Sequence, residues 1–90
     1  MEEVELINKI ASASGLTTEQ SKSAVDALLE TVMDALEDGD QVKIEGFGVF
    51  KSVERQARKG RNPQTGEWIN IEAANVPLFT AEKAFKDRLN

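Results

Sequence analysis

The densest group of cationic side chains in this sequence lies between residues 51 and 61. Five cations stand there against the single acid Glu54, namely Lys51, Arg55, Arg58, Lys59 and Arg61. Lysine and arginine side chains only donate hydrogen bonds, and arginine matches the oxygens of a phosphate with a planar fork of N–H groups. The segment therefore predicts a site for a phosphate-bearing ligand, whereas the competing interpretation is a solvated charged loop.

The cations lead into a turn with an informative composition. It reads Arg61-Asn62-Pro63-Gln64-Thr65-Gly66, which is rich in turn formers. Pro63 is rigid and apolar and has no N–H, so an exposed Pro63 can wedge between base pairs and kink a duplex. Arginine is favoured in a narrow minor groove, where the potential is strongly negative. We therefore predict minor-groove binding to DNA with Pro63 as the intercalating residue.

Charge is distributed unevenly along the 90 residues, which carry a net −5. Residues 1–46 hold 3 basic and 11 acidic side chains, whereas residues 47–90 hold 8 basic and 5 acidic. This asymmetry is typical of a local electropositive site on an acidic body.

The absent residue types narrow the function further. The chain has no Cys, His or Tyr, which removes disulfides, thiolate metal sites and the commonest general base. We predict no enzyme activity, no cofactor and no metal site, and we interpret Glu37, Asp38 and Asp40 as a solvated helix end. No apolar run approaches the ~20 residues of a membrane span, and the acidic N-terminus lacks a signal core. We expect a soluble protein of the cytoplasm.

Two helices are predicted in the N-terminal half. The first covers residues 3–13 and is ended by Gly15; its helically spaced apolar residues are Leu6, Ile7, Ile10 and Ala11. Thr17 and Gln20 have the spacing of a capping box. The second helix follows them to about residue 38, with Gly39 just beyond its end. Its apolar stripe comprises Ala24, Val25, Leu28, Leu29, Val32, Met33 and Leu36.

Strand patterns replace helical ones after residue 40. Val42 and Ile44 alternate with polar residues, and a second strand runs through Val49, Phe50 and Val53. Gly46 and Gly48 indicate a tight turn with close backbone approach between them.

The segment between residues 54 and 67 contains no Val, Ile, Leu, Met or aromatic residue, yet strand-like segments flank it. We predict a two-stranded ribbon, an arm over residues 53–70, which projects into solvent with its tip near Asn62-Pro63. Residues 76–79 are expected to lead into a last helix over 81–89, with Thr80 as its cap.

These elements define an α+β fold class. We expect an N-terminal two-helix hairpin, a three-stranded antiparallel sheet with a long protruding arm, and a short C-terminal helix. A single domain would cover residues 1–90, with a helical dimerisation body and first strand in 1–46, the sheet in 47–80 and the last helix in 81–90. So short a chain leaves one sheet face open, which predicts a dimer. The expected dimer core is Phe47, Phe50, Phe79, Leu29, Val32 and Leu36.

Three stretches together resemble the bacterial histone-like HU and integration host factor family. They are Gly46–Phe50, Arg55–Gly66 and Val76–Phe79. They occur in the same order as in the family, and the resemblance extends over essentially all 90 residues. The resemblance implies an intertwined homodimer or heterodimer whose two arms embrace DNA and whose tip prolines intercalate, as in other architectural minor-groove binders. It implies arm contacts at Arg55, Arg58, Arg61, Asn62, Pro63 and Gln64. It also implies that Lys83 and Lys86 lie near a DNA-facing saddle. Lys51 and Lys59 are expected to reach the phosphate backbone, and Thr65 completes the predicted set.

The sequence departs from the family pattern in its body. Glu3 and Thr18 stand where the family commonly has Lys, and Glu82 stands where Gly is usual. These changes predict less extended wrapping of DNA and leave the arm intact. Trp68 is also unusual, and we expect it to stack on the ribbon or pack at its base rather than touch DNA.

Two functions remain open at this point. The first is a sequence-tolerant architectural protein that bends DNA, organises the nucleoid and prefers DNA that is already bent or nicked. The second is a diverged acidic protein that acts mainly by binding a basic protein partner and has weak affinity for DNA. A gel shift at low salt distinguishes the two.

Overall fold

The computed structural model describes residues 1–90 and contains three helices and five strands. In chain order they are α1 (Glu3–Ser14), α2 (Thr18–Glu37), β1 (Val42–Ile44), β2 (Gly48–Arg55), β3 (Arg58–Arg61), β4 (Trp68–Ile71), β5 (Ala74–Ala81) and α3 (Lys83–Leu89). The predicted α+β class is confirmed. The chain divides into two compact units, Met1–Asp34 and Ala35–Asn90. None of the helices is both long and apolar enough to cross a membrane.

The connection between α1 and α2 has the predicted chemistry. Gly15 adopts a φ of 76° and its N–H donates to the carbonyl of Ala11, which closes the end of α1. Thr17 Oγ1 accepts from the Gln20 N–H, and Gln20 Oε1 accepts from the Thr17 N–H, both at 3.0 Å. This reciprocal capping box satisfies two N–H groups that the first turn of α2 would otherwise leave unpaired.

The end of α2 is closed by a glycine in the left-handed region. Gly39 has a φ of 80°, and its N–H donates to the carbonyl of Leu36. The Asp40 N–H donates to the carbonyl of Ala35. The two bonds form a Schellman motif, which confirms Gly39 as the residue that ends the helix.

The strands β1, β2 and β5 form a three-stranded antiparallel sheet with β2 in the centre. Ile44 pairs with Gly48 across a loop in which Gly46 has a φ of 77°, a conformation that favours glycine. A Cβ on Gly48 would lie 2.5 Å from the Thr80 carbonyl oxygen and 2.6 Å from the Phe79 ring. The close backbone approach expected at this turn is therefore confirmed.

The arm is present, but its bounds differ slightly from the prediction. Because β1 covers β2 only as far as Phe50, a two-stranded ribbon begins at the Lys51–Leu78 pair, two positions before residue 53. The ribbon's inner part, β2 with β5, ends at the Arg55–Ala74 pair. Its outer part, β3 with β4, runs from Arg58–Ile71 to Arg61–Trp68, one position beyond residue 70.

The residues that follow the arm belong to the sheet, as predicted, and form part of β5. Pro77 pairs with Ser52 in this strand. A proline lacks the N–H for a ladder bond, and β5 tolerates one because it is an edge strand. The proline is therefore accommodated at the edge of the sheet and does not end β5.

The predicted start of the last helix is wrong. Thr80 lies within β5, where it pairs with Val49, so it does not cap a helix. The helix α3 begins at Lys83 rather than at residue 81, and its N-cap is Glu82. The Glu82 side chain makes no capping hydrogen bond, because its carboxylate accepts a hydrogen bond from the Gly46 N–H instead.

Very little of this single chain is buried. The buried hydrophobic residues are Ile7 and Ala11, and the only fully buried side chain is the polar Ser21. The four phenylalanines form one cluster, in which Phe47 stacks on Phe85 with ring centroids 5.0 Å apart. The cluster remains open to solvent, since Phe47 is still 40% exposed. Exposed apolar area of this kind marks an association surface.

Candidate nucleic-acid interface

The outer part of the arm has cations on both of its faces. Residues directly opposite each other in an antiparallel pair share a face, and consecutive residues alternate. Arg61 pairs with Trp68, whereas Arg58 pairs with Ile71. Because Arg58 and Arg61 are three residues apart, they lie on opposite faces, as their spacing predicts. A groove that encloses this ribbon meets a guanidinium on either side.

Gly60 makes room for the apolar part of the arm. It pairs with Ile69, and a Cβ added to it would lie 2.9 Å from Cδ1 of Ile71. The glycine therefore allows the Ile71 side chain to lie across the ribbon. Arg58 shares this more apolar face, and Lys59 shares the other face with Arg61.

The tip turn satisfies its own backbone. The Asn62 N–H donates to the Glu67 carbonyl, and the Gly66 N–H donates to the Asn62 carbonyl, both at 2.7 Å. Asn62 Oδ1 also accepts from the Gln64 N–H at 2.9 Å. Pro63 has no N–H to satisfy and is exposed at the end of the ribbon. The turn thus holds the proline at the extremity with its ring free to make contacts.

The other predicted tip residues have different roles in this turn. Thr65 Oγ1 accepts from the Glu67 N–H at 3.3 Å, so its hydroxyl supports the turn. The Gln64 side chain is exposed and makes no hydrogen bond within the chain. Gln64 is therefore the more available of the two for a ligand.

Arg61 is held by two groups of the arm. Its Nε donates to the Gly66 carbonyl at 2.9 Å, and its Cζ lies 5.5 Å from the centroid of the Trp68 ring. This is a cation–π arrangement. The structure thus places the Trp68 ring against Arg61 of the ribbon, which agrees with one of the two expected placements; whether Trp68 touches DNA stays a prediction. Trp68 was not among the predicted site residues. The sequence feature that could have identified it is a single aromatic residue next to a polar turn.

The arm cations are free of carboxylates, and several body cations are not. The four ion pairs of the chain join Lys22 to Glu3 and Asp26, Lys43 to Glu82, and Lys83 to Asp87. None involves Lys51, Arg55, Arg58, Lys59 or Arg61. The hydrogen bond that Lys22 donates to Asp26, aided by the negative charges of Asp26 and Glu3, raises the pKa of Lys22. The positive charge available to an anion is therefore concentrated on the arm.

The remaining predicted contacts lie outside the tip. Lys51 is half-buried opposite Leu78, and Arg55 is exposed at the end of the inner part. Lys83 and Lys86 are exposed on α3, and Lys83 Nζ donates to Asp87 at 2.9 Å. The arm thus brings together the predicted residues from Arg58 to Thr65, whereas the two α3 lysines form a separate group.

One contact near these cations was not predicted from the sequence. Glu82 Oε2 accepts from the Gly46 N–H at 3.0 Å, and Glu82 Oε1 lies 3.7 Å from Lys43 Nζ. Gly46 and Glu82 are 36 positions apart, so no local pattern signals the contact. This carboxylate offsets the charge of Lys43, a cation of β1.

Comparison with known proteins assigns the family. The chain matches the family model of bacterial DNA-binding proteins over residues 1–90. It is 52% identical over 87 residues to DNA-binding protein HU 1 of Bacillus subtilis, and the aligned region covers 97% of this chain and 95% of that protein. It is 54% identical over 89 residues to DNA-binding protein HU-alpha of Vibrio cholerae, with 99% of each chain covered.

Solved structures give the same result. An Anabaena HU–DNA cocrystal structure matches with a TM-score of 0.92 and 42% identity, covering 99% of this chain and 97% of that chain. HU from Thermotoga maritima matches with a TM-score of 0.71 and 28% identity over the full length of both chains. The chain therefore belongs to the HU family of bacterial DNA-binding proteins. Proteins of this family are structural DNA-binding proteins, so the chain is not an enzyme.

Proposed function

We propose that this chain binds double-stranded DNA as an architectural protein, with its arm in the minor groove and Pro63 between base pairs. The observation that carries this proposal is the composition of the arm. Its cations have no carboxylate partners, lie on both faces of the ribbon and end at an exposed proline. Family membership and the likeness to an HU–DNA cocrystal structure support it.

The proposed bending follows from the tip. Inserting Pro63 unstacks a base step, which costs a few kcal/mol, and the contacts that the bend allows offset that cost. A nick or an existing bend removes part of the cost, so such DNA is preferred. The minor groove distinguishes little beyond A·T from G·C pairs, so binding is tolerant of sequence. A protein of this kind organises DNA in the nucleoid, within the cytoplasm.

We infer that the functional unit is a dimer covering residues 1–90 of each copy. Large apolar side chains remain open on α2, where Leu29 is 50% exposed, and in the phenylalanine cluster. A second copy that covers these residues supplies the core that one chain lacks. The proposed dimer contacts are Leu29, Val32, Leu36, Phe47, Phe50 and Phe79. A melting temperature that rises with protein concentration supports the dimer, and one that does not contradicts it.

The arms supply most of the proposed affinity. Lys43 and Lys83 are each paired with a carboxylate of the same chain, and a cation that is already neutralised releases fewer counterions from DNA. We therefore expect a DNA site shorter than that of a relative with a basic body. Lys86, which makes no ion pair, is the body cation best suited to supplement the arms.

A titration across salt concentrations tests the DNA proposal. Wild type is compared with Arg58→Ala plus Arg61→Ala, using fluorescence anisotropy on a short labelled duplex. Each phosphate contact contributes about 0.9 to the log–log salt slope, so the arm variant of a dimer loses up to about four units. The control variant, Lys22→Ala plus Lys43→Ala, removes the same charge from paired lysines and should lose less. Absence of wild-type binding at low salt refutes the proposal.

A second candidate function rests on the acidic N-terminal half. Of its 11 acidic side chains, only Glu3 and Asp26 make ion pairs within the chain. The remainder form a negative surface that suits a basic protein partner. Binding to a polylysine peptide in the absence of DNA, lost when Glu30, Asp34 and Glu37 are changed to Gln or Asn, would favour this role.

A further inference from the structure

Trp68 has an environment that its hydrophobicity does not explain. Its side chain is 69% exposed, and all the aromatic contacts of the chain lie among the phenylalanines. So exposed a ring adds little to folding, because most of its surface stays in water. Its defined contact is with the guanidinium of Arg61.

The contact leaves most of Arg61 available. A guanidinium has five N–H donors, and the one on Nε is used by the Gly66 carbonyl. The Trp68 ring lies on one side of the group, with its centroid 5.5 Å from Cζ, and the four N–H donors on the two terminal nitrogens make no hydrogen bond within the chain. The guanidinium is therefore held through Nε and lies beside the Trp68 ring, while its two terminal nitrogens remain free.

We propose that Trp68 is a positioning residue for Arg61, holding the guanidinium in the orientation in which it enters the groove. The inference rests on the proposed DNA binding and adds to it a residue that does not itself need to touch DNA. Ordering a long side chain before binding reduces the entropy that binding must overcome. Arg58, on the opposite face of the ribbon, has no aromatic partner and serves as an internal reference.

The size of the expected effect follows from the strength of an exposed cation–π contact. Such a contact changes affinity by about two- to fivefold at each arm. Trp68→Leu removes the π face and keeps an apolar side chain, and Trp68→Phe keeps a smaller π face. We expect Trp68→Leu to weaken binding to a short nicked duplex by this factor for each arm that engages the DNA, and Trp68→Phe to recover most of the loss.

Two double-mutant comparisons distinguish positioning from direct contact. In an Arg61→Ala background, Trp68→Leu should have no further effect on affinity, because the residue it positions is gone. In an Arg58→Ala background it should have its full effect. An equal loss in both backgrounds would show that Trp68 contacts DNA itself or supports the whole arm, and would overturn the proposal.

A measurement without DNA tests the contact separately. Trp68 is the only Trp in a chain without Tyr, so its fluorescence reports on this position alone. Arg61→Ala should expose the covered face and increase quenching by acrylamide, whereas Arg58→Ala should not. Unchanged quenching in Arg61→Ala would refute the contact in solution. If wild type does not bind DNA, the proposed function is also wrong. If wild type binds DNA but Trp68→Leu weakens binding equally with and without Arg61, only the proposed role of Trp68 is wrong.

Discussion

The carboxylate of Glu82 spans from the start of α3 to the β1–β2 turn and accepts a hydrogen bond from the Gly46 N–H at 3.0 Å. The same carboxylate lies 3.7 Å from Lys43 Nζ. One side chain thus supports a turn and neutralises a nearby cation. In a protein proposed to bind DNA, this arrangement limits what the sheet end of the molecule contributes to affinity.

Replacing this carboxylate should therefore strengthen DNA binding. Glu82→Gln retains an oxygen that accepts from Gly46 and removes the charge opposite Lys43. We expect tighter binding and a salt slope steeper by about one unit per protomer, measured by anisotropy titration. Asp26→Asn makes the same change of charge beside Lys22 and serves as the control. Equal gains from both variants would show that only the net charge matters.

Pro63→Ala should reduce bending more than binding. The arm cations remain in the variant, and only the wedge is lost. Fluorescence transfer between dyes at the two ends of a short duplex reports the bend, and anisotropy on the same duplex reports affinity. Gln64→Ala alters the neighbouring exposed side chain without removing the wedge, and its bend angle should match that of wild type. If the bend angle of Pro63→Ala is also unchanged, intercalation by Pro63 is wrong.

Ser21→Ala should stabilise the fold. The Ser21 side chain is fully buried, and its hydroxyl has no hydrogen-bond partner. A buried unsatisfied polar group costs about 1–3 kcal/mol. Ser23→Ala, at an exposed position of the same helix, gains only helix propensity, about 0.5 kcal/mol. Chemical denaturation should show the larger gain for Ser21→Ala, and equal gains would mean that the Ser21 hydroxyl is satisfied in solution.

Gly48→Ala should destabilise the protein far more than Gly60→Ala. The new Cβ at position 48 would meet a backbone carbonyl oxygen and an aromatic ring, which cannot yield without moving the sheet. Overpacking of this kind costs about 1–3 kcal/mol. At position 60 the nearest atom is the terminal carbon of Ile71, which moves by a rotamer change. Thermal unfolding of the two variants compares these costs, and similar losses would contradict this account.

Local patterns predicted the fold well where a few adjacent residues determine the structure. The Thr17–Gln20 capping box and the end of α2 at Gly39 are both of this kind, because each depends on bonds between near neighbours. The arm was predictable as well, because a long polar segment between two strand patterns cannot join a core. Its turn follows from the residue types around Pro63.

The failures have a common physical origin in pairing between distant residues. Thr80 has the residue type of a helix cap, and pairing with Val49 keeps it in β5 instead. At the site, the stacking of Trp68 was expected, but its partner Arg61 depends on the register of β3 with β4.

The interruption between the inner and outer parts of the arm separates the pairing of the outer strands from that of the central sheet. Residues 56–57 and 72–73 belong to no strand, so β3 and β4 share ladder hydrogen bonds only with each other. A substitution in the outer part leaves the register of the central sheet unchanged. We therefore expect mutations in the outer arm to change its contacts with a ligand without changing the pairing of β1, β2 and β5.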